Sequence, residues 1–110
     1  MSLSWSAYLD DLKSTKGFVQ ADDIKRLIDE ARKDPLGFLM VQGEMVEMYL
    51  EQLASHEIDV HEFEASVKAI HDLIQIESVK MSPEALARAE RLMKGIETLI
   101  LNSLLPAITP

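Results

Sequence analysis

Chemistry in this chain should first be sought at its three histidines, because imidazole changes charge near neutral pH and is the commonest metal-binding side chain. Two of them, His56 and His61, stand among Glu57, Asp59, Glu62 and Glu64. Imidazole and carboxylate together can hold a divalent ion, so His56, His61, Glu57 and Asp59 are the candidate metal ligands. Their spacing matches no closed metal site. A di-metal bundle would need Glu-x-x-His pairs on facing helices, and the sequence contains none. The expectation here is a solvated acidic junction between two helices, with no bound metal.

His71 falls inside a helical pattern, next to the stripe that contains Ile70. In length and helicity the chain is similar to histidine-phosphotransfer domains. Their pattern places Lys three residues after the histidine and Gly directly after that, whereas those positions hold Ile74 and Gln75 here. His71 therefore reads as a histidine at the edge of the core, and phosphotransfer or metal-responsive signalling is kept as the alternative function. There is no Gly-rich phosphate loop, no Ser/His/Asp grouping and no HExxH motif. The adjacent acids Asp22–Asp23 and Asp29–Glu30 are accounted for by helix capping and solvation. No catalytic residue and no cofactor is expected, and the chain reads as non-enzymatic.

The elements that would carry these residues are all helical. Residues 4–13 form a short first helix, capped by Ser4 or Ser6, with Trp5, Tyr8, Leu9 and Leu12 on one side. Ser14, Thr15, Lys16 and Gly17 break that pattern, so residues 1–17 are expected to be loosely attached. Trp5 and Tyr8 make an N-terminal anchor or seal one end of the core. Residues 21–33 form a helix with Asp22 and Asp23 at its start and Arg32 and Lys33 at its end, matching the helix dipole. Its apolar stripe is Ile24, Leu27, Ile28 and Ala31.

Asp34–Pro35 should end that helix and begin the next, with Asp34 as cap and Pro35 at the first helical position. The new helix, residues 35–55, carries two apolar rows. Phe38, Val41, Met45 and Met48 follow a coiled-coil spacing, and Leu39, Val46, Leu50 and Leu53 run beside them. Gly37 and Gly43 each cost roughly 1 kcal/mol against Ala in a helix, so this helix depends on its neighbours. A fourth helix runs from a cap at Asp59 to about Met81, with Val60, Phe63, Val67, Ile70 and Ile74 in heptad spacing and Leu73, Ile76 and Val79 widening the face. Ser82–Pro83–Glu84 starts a last helix, whose stripe is Leu86, Ala89, Met93, Ile96 and Ile100 and which stops by Pro106. Residues 106–110 should fray. The expected fold is all-α: a single domain over residues 1–110, a bundle of four main helices with a short N-terminal one.

Charge narrows the partners. The 110 residues include 19 acids and 11 bases, a formal charge of −8, with 47% hydrophobic content and no cysteine. The absence of cysteine excludes a disulfide framework or thiolate site. A pI near 4.7 argues against nucleic acid, which demands clustered Lys and Arg. No stretch reaches the ~20 apolar residues of a membrane span, and the opening lacks the basic and apolar regions of a cleavable signal. Between residues 34 and 67 there are eight carboxylates and no Lys or Arg, while the other eleven acids balance all eleven bases. The −8 therefore belongs to the segment with the two apolar rows. That pairing points to a contact surface made of Phe38, Val41, Met45 and Met48 with Glu44, Glu47 and Glu51, suited to a basic or helical protein partner or to a second copy. The methionines at 40, 45, 48, 81 and 93 suit either an irregular core or such a surface.

The opening Trp5-Ser6-Ala7-Tyr8-Leu9-Asp10-Asp11-Leu12 resembles the N-terminal segment of needle subunits of bacterial type III secretion systems. Asp34-Pro35, followed by Gln42, Met45 and Glu47, resembles that family's Asp-Pro loop and the start of its second helix. Inner-rod subunits of the same systems share that helix and a C-terminal pattern similar to residues 95–100. The resemblance implies helical self-assembly or a partner within a secretion apparatus, and export without a cleavable signal. Without it, the expected location is the cytoplasm, and a small acidic chaperone is a further alternative. The expected function is thus a non-catalytic acidic helical protein that self-associates or docks another protein.

Overall fold

Local signals divide the chain where the physics of helix ends requires it. The computed structural model of the protein describes residues 4–110; residues 1–3, at the head of the segment expected to be loosely attached, lie outside the described residues. Ser4 caps α1 (Trp5–Lys16) by accepting a hydrogen bond from the Ala7 amide at 3.1 Å. The helix runs three residues beyond the expected end, and Gly17 closes it in the left-handed region at φ 65°, which costs glycine nothing. The expected helices then appear as α2 (Ala21–Arg32), α3 (Gly37–Ala54), α4 (Val60–Ser78) and α5 (Pro83–Gly95). Asp59 and Glu62 form a reciprocal capping box at the start of α4. Ser82 accepts from the Ala85 amide ahead of Pro83 at the start of α5.

The last helix does not stop at Pro106. α5 continues into a π-helical stretch, Ile96–Leu104, and then into a final turn, α6 (Leu105–Ile108). The buried residues of the π stretch are Ile96, Ile100 and Leu104. A spacing of four drifts by about 40° per step around an ordinary α-helix. The stretch is bonded i to i+5, and all three of these side chains are sealed in the core. Where fraying was expected over 106–110, Ala107 and Ile108 pack against the core.

The four main helices form a ring in the order α2, α3, α4, α5, with α5 returning to pack on α2 and α1 lying across α2 and α3. The fold is an all-α bundle, with no strand among the described residues. Leu9, Ile24, Leu39, Leu50, Phe63, Ile74, Ile96 and Ile100 are among the side chains sealed at its centre. Trp5 and Tyr8 are half-buried against that core, and burial, helped by the nearby Asp11 charge, raises the Tyr8 phenol above its ordinary pKa. Gly43 marks a close crossing of α2 and α3: a Cβ there would meet Ala31 Cβ at 2.7 Å and the Arg32 amide nitrogen at 3.0 Å. Its helix penalty is what lets α2 and α3 approach.

Asp34 does not cap α3. Its Oδ1 accepts from the Leu36 amide at 2.8 Å, and its Oδ2 accepts from Arg88 Nε at 2.8 Å. The carboxylate is drawn to a cation on α5, so it closes the turn instead, and α3 starts two residues later than expected, at Gly37.

Candidate functional site

The two apolar rows of α3 meet opposite fates. Leu39, Val46, Leu50 and Leu53 are sealed in the core. The row expected as a seam splits: Val41 and Met48 are exposed (46% and 39%), Met40 joins them, and Phe38 and Met45 are half-buried against the core. Glu44 and Glu51 lie exposed on the same outer arc. Glu47 does not belong with them. It turns toward α2, where Arg32 Nη1 lies 2.9 Å from its Oε2; the guanidinium N–H is not aligned for donation, so this buried oxygen has an ion-pair partner but no hydrogen bond.

Leu73 and Ile76 on α4, and Val79 just past its end at Ser78, short of the expected Met81, do not widen the core face. They are among the most exposed large apolar side chains of the protein, Ile76 at 64% and Val79 at 83%. The reason is angular. Phe63, Val67, Ile70 and Ile74 already fill the inward arc, and Ile76 lies about 200° round the helix from Ile74, so it must point away. Ala65 and Ala69 are exposed as well.

Gly43 and Glu47 face α2, and the other flank of α3 carries Phe38, Met45 and Tyr49, half-buried against the core. Val41 and Met48 point outward, about 140–160° round the helix from the sealed row. On α4, His71 reaches the π stretch through Glu97, and Leu73, about 200° from His71, therefore borders α3. Val41 and Met48 on α3 and Leu73 and Ile76 on the adjoining α4 together make up an outward apolar surface, the α3–α4 ridge; Glu51 is exposed on α3, whereas Glu44 lines a concavity with Asp29, Arg32 and Lys33 of α2. The α4 half of the ridge was missed in the sequence. Its signal was there in the three-residue step from Leu73 to Ile76, out of phase with the heptad positions.

The chemistry-bearing residues are placed as follows. His71 sits with Nε2 2.6 Å from Glu97 Oε1 and Nδ1 3.4 Å from Asp72 Oδ1, so both ring nitrogens face carboxylates. His56 is at φ 61°, the one non-glycine residue in the left-handed region among those described. Its amide donates to Leu53 O and the Glu57 amide to Gln52 O, which is the Schellman closure of α3. Asp59 is engaged in the capping box. His61 and Glu57 are exposed. Among the described residues no group of three or more His, Asp or Glu side chains converges to hold a metal ion, and no helix is long and apolar enough to cross a membrane.

Comparison with protein-family models, with curated proteins and with solved structures finds no match for this chain.

Proposed function

We propose that this is a non-catalytic helical protein that works by docking, with a second copy of itself or another helical protein seated on the α3–α4 ridge. The observation that carries the reading is the exposure of Val41 and Met48 on a helix whose inner row is already complete. Solvent-facing apolar side chains on two adjoining helices are the kind of surface from which interaction sites are built. The exposed Glu51, with no base on α3 to answer it, favours a partner that brings a cation to the rim and discourages acidic ones. Within this reading, the resemblance to needle and inner-rod subunits makes a bacterial secretion apparatus the proposed setting.

The test is light scattering over a wide concentration range on the full chain and on a Met48→Asp/Leu73→Asp variant. Both side chains are exposed, so the variant should melt as the parent does while losing self-association. A parent that stays strictly monomeric throughout, or a variant that associates as well as the parent, removes self-association through this ridge.

A further inference from the structure

The opposite edge of the ring, between α2 and α5, carries a groove. Leu27 and Ala31 of α2, Leu39 of α3 and Leu92 of α5 floor it, and its volume is about 460 Å³. That lies within the roughly 300–1,000 Å³ typical of small-molecule sites. Lys33, Arg88 and Arg91 stand around the floor, together with Glu30 and Asp34.

The distribution of charge makes the groove unusual for this protein. With 19 acids available to 11 bases, seven of the bases pair with a carboxylate. Of the other four, Lys16, Lys33, Arg91 and Lys94, two line this concavity: Arg91, and Lys33 from a lip it shares with the neighbouring concavity of Asp29 and Glu44. Asp34 builds the site more than it neutralises it. Its side chain is only 7% exposed, it is fixed by the Leu36 amide, and it holds Arg88 by Nε alone. Both Nη groups of Arg88 are left without a partner among the described residues. Glu30, on the exposed rim, is the one carboxylate there without such an engagement.

We propose that this groove binds a small amphipathic carboxylate, its head among Lys33, Arg91 and the free Nη groups of Arg88 and its aliphatic body on Leu27, Leu39 and Leu92. A planar guanidinium fork held in place matches carboxylate geometry, and an apolar floor selects against a fully polar anion. The site is independent of the α3–α4 ridge and stands whether or not that ridge docks a protein.

The probe is sodium octanoate, kept below its micellar range and titrated into the full chain by calorimetry, with amide chemical shifts mapping the contact. One-to-one saturable binding is expected, with shifts at the groove. 1-Octanol, which has the body without the charge, should bind at least about tenfold more weakly, as the loss of charge-assisted hydrogen bonds implies. The exposed-residue variant Lys33→Gln/Arg91→Gln should lose about tenfold in octanoate affinity at an unchanged melting temperature. Absence of saturable binding, shifts confined to the α3–α4 edge, or octanol binding as tight as octanoate would each overturn the proposal. So would a variant that keeps octanoate affinity but changes its mass by light scattering, because Lys33 and Arg91 would then serve a protein contact.

Discussion

Replacing Asp34 with Ala separates two accounts of one carboxylate. As a helix cap, Asp34 would contribute about 1 kcal/mol, independent of anything on α5. In the structure it instead accepts a charge-assisted bond from Arg88 and a backbone bond from Leu36, both at 2.8 Å. The first is worth about 1.5–3 kcal/mol and the second about 0.5–1.5 kcal/mol. Arg88 remains partly exposed, and water recovers part of its loss, so a total of about 2–3 kcal/mol is expected. For a chain of this size that corresponds to a fall of about 9–13 °C in Tm. Urea unfolding followed by circular dichroism measures it, with an unchanged m-value showing that stability alone has moved. The decisive step is the double-mutant cycle with Arg88→Met. If the tertiary pairing is right, Asp34→Ala costs less in the Arg88→Met background than in the parent, by about 1 kcal/mol or more. A cost near 1 kcal/mol that is the same in both backgrounds would be cap-like and would refute the reasoning.

Two further outcomes follow from particular backbone and burial features. His56→Gly should stabilise the protein by about 1 kcal/mol, because the left-handed conformation at φ 61° penalises a side chain there and not a glycine; no rise in the urea midpoint would count against the Schellman closure at His56. Tyr8 has a folded pKa raised above its ordinary 10.0, so below that value both folded and unfolded chains keep the proton and its contribution is complete. As pH rises through 10.0 the unfolded phenol ionises first and stability is lost. Thermal melts of Tyr8→Phe across that range should therefore decline less steeply than those of the parent, and parallel declines would exclude a Tyr8 contribution.

Much of the helix grammar was legible in the sequence because it is local. Ser4, the Asp59–Glu62 box and Ser82–Pro83 act on amides three residues away, so residue type and spacing suffice to place them. The inner rows of α2, α3 and α4 were legible for the same reason, since periodicity reports which residues share a face. Asp34 was misplaced because its partner, Arg88, is distant in the chain and close only in the fold. The candidate site was half legible. The outer row of α3 was visible as surplus apolar surface, but Leu73 and Ile76 passed for core because nothing in the spacing says how much inward arc a helix has left.

The sequence alone determined that the chain is a set of capped amphipathic helices, that its excess negative charge lies between residues 34 and 67, and that α3 carries more apolar surface than one inward face needs. Tertiary structure alone decided which α3 row is sealed, that Gly43 is a contact point, that Lys33 and Arg91 gather with Arg88 around one groove, and that the final helix widens into a π stretch. The division has one physical cause. Capping and periodicity involve neighbours within a turn or two, whereas burial, ion pairing and close approach depend on which helices become neighbours, and that is settled only when the whole ring packs.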